Sequence, residues 1–432
     1  METKLDRISE LSAQNPSMVF TSIYHLINYD LLLECHREQD GKKATGIDSV
    51  TKAEYETNIH DNLTDLVERL KRKGYKPKAS LRVYIPKANG KMRPLGISAY
   101  EDKLVQMALM RVLQAVYEPK FNNRMFGFRP NRSQHDAIKE LNRLLERGKT
   151  NFVVDADIMG YFNNMEHARI LELISFRIAD PNILWLVKKS LTAGVVEDGK
   201  WRATTKGSEQ GNLASPIISN IYMHYALAQW FDIVFKKQCK GGCGLVIFAD
   251  DFVATFQYEN EANKFLTAVA ARFALFGLEL EPTKTRLIEF GRFAEKNRKT
   301  RGQGKPDTFD FLGFTHYCSK SKAGHFRVKR KTVRKKLRLK LTEMNLWLKK
   351  NRHLRLKDLF AKVNQKLEGH YQYYGITDNA PSLNRYLYQV ISMIFKWLNR
   401  RSQRKSYKWE GFKDLLRIFP IAHPHISVNI YG

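Results

Sequence analysis

Apolar residues recur at helical spacing near the start of the chain and then change to alternation. Leu63, Leu66, Val67 and Leu70 lie on one stripe of a helix that the pattern predicts over residues 62–73. From residue 81 apolar and polar positions alternate, pass through a turn at residues 88–90 and alternate again to residue 97. This pattern predicts two strands joined by a turn.

The middle of the chain alternates predicted helices with short apolar runs. Helical spacing covers residues 100–117, 133–147 and 215–235. Residues 152–157 predict a buried strand that ends on carboxylates. Residues 291–308 are polar, basic and without an apolar period, which predicts a loop or linker, and a strand pattern resumes over residues 309–317.

The last hundred residues predict basic helices. One stripe of the first helix is apolar while lysines and arginines cover much of the rest; the apolar residues are Val333, Leu337, Leu341, Met344 and Leu348. Further helices are expected over residues 355–373 and 381–402, and no repeat of fixed period is evident. The fold class expected from these patterns is α+β.

Charge narrows the class of partner. The 432 residues include 73 Lys and Arg against 44 Asp and Glu, a formal charge of +29, which a polyanion such as nucleic acid would neutralise. The chain has no apolar run of about 18 residues and no signal segment, so we expect no membrane partner and a cytoplasmic location. Four scattered cysteines agree with a reducing compartment. Cys239 and Cys243 lack two further ligands nearby, which favours a glycine-rich loop with free thiols over a zinc site.

Two adjacent carboxylates stand between apolar runs. Asp250 and Asp251 separate residues 245–248 from residues 252–256, and charges beside buried strands need a cation. Asp157 ends another predicted strand, and three converging carboxylates suit Mg²⁺. Asp157 and Asp250 would bridge two ions, and Asp251 would assist from one side. A pair of solvated aspartates in a hairpin turn is the alternative.

An ordered set of motifs favours the metal site over the solvated turn. The sequence resembles the reverse transcriptases encoded by group II introns, from about residue 40 to the C-terminus. The motifs occur in family order: Gly41-Lys-Lys-Ala-Thr-Gly-Ile-Asp48, Ile85-Pro-Lys-Ala-Asn-Gly-Lys-Met-Arg-Pro-Leu-Gly-Ile97, Phe126-Gly-Phe-Arg-Pro-Asn-Arg-Ser133, Asp157-Ile-Met-Gly-Tyr-Phe-Asn-Asn164, Gly207-Ser-Glu-Gln-Gly-Asn-Leu-Ala-Ser-Pro216, Phe248-Ala-Asp-Asp251, Gly277-Leu-Glu-Leu-Glu-Pro-Thr-Lys284 and Phe311-Leu-Gly-Phe314.

The resemblance implies a role for each group of residues. The catalytic residues would be Asp157, Asp250 and Asp251, and the metal-binding set adds Ile158 to them, with two Mg²⁺ ions for which Mn²⁺ can substitute. The incoming nucleotide would be bound by Lys87, Lys91, Arg93, Phe162 and Gln210, with Phe162 as the steric gate against a ribose 2′-hydroxyl. Primer and template would contact Lys284, Leu312, Gly313, Arg129 and Arg132. Further RNA would bind Lys329, Arg330, Lys331, Arg334, Lys335 and Arg338.

The resemblance also implies an architecture. A right-hand polymerase is expected, with fingers and palm built on an antiparallel sheet plus helices and followed by a helical thumb, or maturase domain. The expected segments are an N-terminal helical extension at 1–80, fingers and palm at 81–320, thumb at 321–402 and a short tail at 403–432. The tail resembles that of members that lack an endonuclease, so we expect no cleavage of target DNA.

The expected activity is RNA-directed DNA synthesis with a maturase role in splicing and mobility. The partners would be an RNA template, expected to be the parent intron RNA, a DNA or RNA primer and deoxynucleotides, in the bacterial cytoplasm near the nucleoid; a homodimer stays open. One alternative is a splicing cofactor that binds RNA but no longer polymerises. Another is a domesticated relative that acts in phage defence or DNA repair.

Overall fold

The computed structural model describes residues 2–86, 92–402 and 406–431. Helices and strands alternate along these ranges, which confirms the predicted α+β class. The helices are α1 Glu2–Gln14, α2 Tyr29–Glu38, α3 Lys52–Glu56, α4 Ile59–Lys71, α5 Tyr100–Tyr117, α6 Gln134–Arg147, α7 Tyr161–Asn164, α8 His167–Ser175, α9 Pro181–Leu191, α10 Ser215–Met223, α11 Lys236–Gln238, α12 Glu259–Ala274, α13 Ala294–Thr300, α14 Arg334–Asn351, α15 Leu356–Tyr374, α16 Ala380–Leu398 and α17 Trp409–Ile418.

The strands are short and belong to three sheets. They are β1 Ser80–Pro86, β2 Met92–Ile97, β3 Phe152–Ala156, β4 Val195–Glu197, β5 Lys200–Arg202, β6 Cys243–Phe248, β7 Asp251–Phe256, β8 Arg286–Glu289, β9 Phe309–Phe311, β10 Phe314–Lys320 and β11 Phe326–Thr332. The sheet orders are β2-β1-β4-β5, β6-β7-β3-β8 and β11-β10-β9. The second sheet brings the end of β3 and the β6–β7 turn, which carry the predicted carboxylates, to neighbouring strands.

Contacts divide the chain into two compact units. Unit 1 comprises Met1–Ala137, Val154–Ala254 and Glu259–Leu287, and unit 2 comprises Ile138–Val153, Thr255–Tyr258 and Ile288–Gly432. The predicted segment 81–320 therefore contributes to both units, and its boundaries stay a prediction.

Helix α5 forms the centre of unit 1. It coincides with the helix predicted over residues 100–117 and contacts α1, α2, α9 and α10. Apolar side chains are buried on several sides of it because it is surrounded by other helices. In the first sheet, β1 pairs with β2 antiparallel, from Leu81 opposite Ile97 to Pro86 opposite Met92. The hairpin of β4 and β5 was not predicted, since three residues are too few for an alternating pattern.

The predicted helix over residues 215–235 differs in its hydrogen bonding. It begins as α10, continues through π-helical turns at His224–Ala228 and Phe231–Phe235, and ends with α11. Apolar spacing predicts a helix in both cases, because it does not report whether a backbone amide bonds four or five residues back.

Unit 2 contains a three-stranded sheet and the C-terminal helices. Strand β10 pairs antiparallel with both β9 and β11, and α16 contacts α14, α15 and β11. The prediction of an unstructured segment at 291–308 is wrong in part, because α13 occupies seven of these residues. Its sequence is almost entirely polar and only Ala294 is buried, so no apolar period marks it. Within the described ranges, no helix is both long and apolar enough to span a membrane.

Candidate active site

The β6–β7 hairpin presents its aspartates on a constrained turn. Ala249 adopts a left-handed conformation with φ 56° and is buried, a geometry that costs about 1–2 kcal/mol for a residue with a Cβ. The edge of β6 is covered by the segment before Gly127: Phe126 donates its amide to the Ile247 carbonyl at 2.9 Å, and the Ile247 amide donates to the Arg124 carbonyl at 2.8 Å. These bonds hold the strand that leads into the turn.

Gly127 lies directly against the turn. A Cβ at this position would stand 2.4 Å from the Ala249 amide nitrogen, far inside van der Waals contact. The Gly127 carbonyl accepts a 2.9 Å hydrogen bond from the Asn220 side-chain amide, so helix α10 fixes this segment. The close approach requires glycine here and limits the positions that Ala249 and Asp250 can take.

Asp157 lies on a second constrained loop, immediately after β3. Its carbonyl accepts a 2.8 Å hydrogen bond from the Glu281 amide, and the Met159 amide donates to the Glu279 carbonyl at 2.8 Å. Ile158 pairs with Leu280 in the same antiparallel bridge. The chain then turns so that the Lys284 ammonium contacts the Asp157 carboxylate. That hydrogen bond raises the pKa of Lys284.

Asp250 has an unfavourable electrostatic environment for a carboxylate. Burial raises its pKa, and the negative charge of Asp157 raises it further, while Arg93 and Lys284 act in the opposite direction. A cation between Asp157 and Asp250 would reverse the repulsion and compensate the lost hydration. The pair therefore fits a divalent metal, which agrees with the chemistry of the donors.

The three predicted carboxylates do not form one group of metal ligands among the described residues. Among the described residues, no set of three His, Cys, Asp or Glu side chains could hold a metal ion by itself. Asp157 contacts Lys284 instead, and Asp251 is exposed at the start of β7. Mg²⁺ is commonly bound through one or two carboxylates plus water and substrate phosphates, so Asp157 and Asp250 meet that requirement without a third ligand.

Three of the five predicted nucleotide residues belong to the described part of the chain. Arg93 is exposed on β2, and its charge acts on Asp250. The Gln210 carbonyl accepts a 2.8 Å hydrogen bond from the Gly96 amide, which joins its loop to β2. Phe162 is half-buried and lines a cavity of about 220 Å³. The remaining two nucleotide residues predicted from the sequence, Lys87 and Lys91, lie outside the described residues.

Sequence reasoning missed Glu209 and Arg82 in the same cavity. The Arg82 guanidinium lies 3.5 Å from the Glu209 carboxylate, and burial raises the pKa of Glu209. A Cβ on Gly96 would overlap this carboxylate at 2.0 Å, so the glycine leaves room for it. The signal was present in Gly207-Ser-Glu-Gln-Gly211, where a glutamate precedes the glutamine that the resemblance singled out.

Comparison with known proteins identifies the family. Residues 85–316 match the family model described as reverse transcriptase (RNA-dependent DNA polymerase). The chain belongs to this family. It is 35% identical over 222 residues to the group II intron-encoded protein LtrA of Lactococcus lactis, which covers 51% of this chain and 37% of LtrA. It is 33% identical over 225 residues to protein YkfC of Escherichia coli, which covers 50% of this chain and 59% of YkfC. The chain thus spans less than two thirds of the length of these relatives.

The structure corrects the role expected for Arg129 in this member of the reverse transcriptase family. Its side chain is only 4% exposed and pairs with Glu118 at 2.8 Å. The guanidinium also donates to the carbonyls of Asn122 and Met125, at 2.9 and 3.0 Å. With its donors directed inward, Arg129 stabilises the loop before Gly127 and does not face a template. Arg132 donates to the Asn123 side chain at 2.7 Å, and its predicted contact with template stays a prediction.

A second correction concerns Arg330 of unit 2. It lies on β11 and is fully buried, so it cannot contact RNA phosphates. The other predicted RNA-binding residues have accessible side chains: Lys329 is half-buried, and Lys331, Arg334, Lys335 and Arg338 are exposed. Alternation along β11 explains the difference, since successive side chains point to opposite faces of the sheet.

Leu312 and Gly313 form the turn between β9 and β10. Both have positive φ, 47° and 85°. The Leu312 carbonyl accepts a 3.0 Å hydrogen bond from the Tyr373 hydroxyl, and the Gly313 carbonyl accepts one of 3.0 Å from the Val333 amide. The turn is therefore fixed within unit 2 by α15 and by the start of α14, and contact with a primer stays a prediction.

Replacing Gly127 with alanine is expected to lower kcat for nucleotide addition by about 10²-fold, because displacement of a catalytic group by about 1 Å has an effect of that order. The new methyl group would push the Ala249–Asp250 turn away. Single-turnover extension would measure the rate, and the dissociation constant for primer-template should stay unchanged. Gly411→Ala is the control, since a Cβ there meets no atom within 4 Å. A Gly127→Ala variant with the wild-type kcat would contradict the assigned contact.

Proposed function

We propose that the chain copies an RNA template into DNA by adding deoxynucleotides to a primer 3′-hydroxyl. The observation that carries this proposal is the pair of Asp157 and Asp250, each held on a constrained turn, with the exposed guanidinium of Arg93 acting on the same site. Family membership supports it, since the matched segment contains this centre.

In the proposed mechanism, Asp157 and Asp250 would hold two Mg²⁺ ions, with Asp251 and Ile158 as further metal-binding residues. Metal held there would supply positive charge that lowers the pKa of a primer hydroxyl and neutralises the triphosphate. Arg93 would bind the triphosphate, because a guanidinium matches phosphate oxygens in a bidentate manner. The Lys284 ammonium would neutralise the charge of the Asp157 carboxylate and contact phosphate.

We further propose an RNA partner of the intron type. The charge of +29 favours a polyanion, and LtrA is named as a group II intron-encoded protein. A relative from Arabidopsis thaliana, 26% identical over 117 residues, is named nuclear intron maturase 2. These names support a maturase role for this chain next to DNA synthesis, with a DNA or RNA primer and deoxynucleotides as the other substrates.

A primer-extension assay tests the function directly. The full chain would be incubated with an RNA template, an annealed primer, deoxynucleotides and Mg²⁺. We expect extension that stops when the metal is chelated and resumes when Mg²⁺ or Mn²⁺ is restored. RNA binding without extension under either metal would reject the polymerase and favour a splicing cofactor.

Replacing Phe162 with alanine is expected to increase incorporation of ribonucleotides relative to deoxynucleotides by about 10-fold or more, since a bulky side chain in a pocket discriminates by about 1–3 kcal/mol. The smaller side chain would admit the ribose 2′-hydroxyl. The ratio of kcat/KM for a matched ribonucleotide and deoxynucleotide pair measures this effect. Phe176→Ala, which removes an exposed ring of the same unit, should leave the ratio unchanged. An unchanged ratio in the Phe162 variant would remove this residue from sugar selection.

A further inference from the structure

Three helices of unit 2 surround an open pocket that none of the expected polymerase residues line. It lies between α14, α15 and α16 and has a volume of about 510 Å³. Cavities of roughly 300–1,000 Å³ are typical of sites for small ligands. The pocket contains residues of the aromatic segment that the sequence places at 371–374, together with lysines from two helices.

The charge of the pocket favours an anion. Lys336 and Lys340 stand one turn apart on α14, and Lys366 faces them from α15. Glu343 is the acidic residue in the lining, and it pairs with Lys340 at 2.9 Å. Burial lowers the pKa of His370 to about 4, so its ring is neutral near pH 7. Three ammonium groups against one carboxylate leave a net positive surface suited to phosphate.

Four aromatic rings form most of the remaining lining, beside Met344 and Gly369. The His370 ring stacks on Tyr386 with a centroid distance of 3.8 Å, and it lies 4.7 Å from the Tyr374 ring. Tyr373 is half-buried and contacts Tyr374 at 4.7 Å. A phosphate or sulfate ion alone gains nothing from contact with aromatic rings, whereas any nucleobase can stack on them. The combination points to a ligand with both a flat ring and a phosphate.

We propose that this pocket receives one unpaired nucleotide of a single-stranded RNA segment. The base would lie against the aromatic lining, and the phosphates on either side would contact Lys336, Lys340 and Lys366. The choice of RNA rests on the proposed function, but the site uses residues of unit 2 alone and none of the aspartates of the polymerase centre.

Gly369 allows the pocket to be filled without a change of charge. It lines the pocket on α15, its φ is not positive, and a Cβ built on it meets no atom within 4 Å. Gly369→Leu would therefore occupy the space of the base while it leaves the lysines in place. The full chain would be titrated, without metal or deoxynucleotides, with a ten-nucleotide RNA of adenosines and with an abasic strand of equal length and charge.

We expect Gly369→Leu to weaken binding of the adenosine strand by about 10-fold, the effect of one lost stacking contact, and to leave binding of the abasic strand unchanged. Lys336→Ala combined with Lys340→Ala should weaken binding of both strands and reduce the slope of log affinity against log salt by about 1.4, at about 0.7 per phosphate contact. Lys357→Ala with Lys362→Ala, which removes two exposed lysines of α15 outside the pocket, is the charge-matched control and should leave the salt slope unchanged.

Three results would overturn the proposal. The first is a Gly369→Leu variant with a wild-type melting curve and an unchanged preference for the adenosine strand. The second, which also decides the matter if that variant does not fold, is an unchanged salt slope after removal of Lys336 and Lys340. The third is free adenosine monophosphate binding as tightly as the strand, which would make the ligand a mononucleotide. If the wild-type chain gives these binding results but does not extend a primer, the proposed polymerase activity is rejected and the proposed pocket is not.

Discussion

Asp250→Asn is expected to reduce primer extension on RNA by about 10³-fold or more, because loss of a metal-binding carboxylate removes several kcal/mol of charge stabilisation and each 1.4 kcal/mol or so corresponds to a factor of ten. The free energy of unfolding of this variant should be equal to that of the wild type or higher. The carboxylate of Asp250 is disfavoured by burial and by the charge of Asp157, and asparagine carries no charge. The extension rate should therefore fall without a fall in melting temperature, which distinguishes a loss of catalysis from a loss of folding.

Asp198→Asn is the matched control for this experiment. Asp198 also lies in a hairpin turn of unit 1, between β4 and β5, and is exposed with φ 50°. Asparagine tolerates that conformation, so we expect extension and stability like the wild type. RNA binding should survive in both variants, since it depends on basic residues. Extension by Asp250→Asn at more than about a tenth of the wild-type rate would contradict the assignment of the catalytic centre.

The second large effect is on stability. Arg330→Ala is expected to destabilise unit 2 by about 3–5 kcal/mol, because removal of one partner from a buried charged network leaves the others uncompensated. The guanidinium donates to the Asn142 side chain and, at 3.0 Å, to the Val328 carbonyl. It also lies 3.9 Å from the Asp378 carboxylate. Chemical unfolding monitored by tryptophan fluorescence would measure the loss.

Lys331→Ala provides the control from the neighbouring position. Lys331 is exposed on the same strand, so its removal should change stability by less than about 0.5 kcal/mol. It should instead lower the salt slope of RNA binding by about 0.7–0.9 if the side chain contacts one phosphate. The opposite pattern, with a stable Arg330→Ala variant that binds RNA weakly, would restore the original expectation that Arg330 contacts RNA.

Periodic patterns predicted the long elements well. The 18 residues of α5 match the predicted helix, since that helix has a sustained apolar period. The predicted strand at 152–157 and the helix over 355–373 correspond to β3 and α15, with shifts of one residue at their ends. Elements without such a period were missed: β4 and β5 have three residues each, and α13 is polar. A short element is stabilised by its neighbours, and those are distant in sequence.

The same limit explains the two corrected arginines. Both were assigned to nucleic acid because the resemblance implied such contacts for basic residues at these positions. The partners that bury them lie elsewhere along the chain: Glu118 is 11 residues from Arg129, and Asn142 is 188 residues from Arg330. No feature of the neighbouring sequence indicates such a partner.

The sequence by itself determined the family and the identity of the candidate catalytic residues, because an ordered set of motifs survives in the linear order of the chain. The Phe248-Ala-Asp-Asp251 turn could be recognised in this way. Only the tertiary structure decided that Ala249 is left-handed against Gly127, that Lys284 contacts Asp157, and that lysines and aromatic rings of three helices share one pocket. Each of these depends on contacts between distant segments, which form when the chain folds and leave no periodic trace in the sequence.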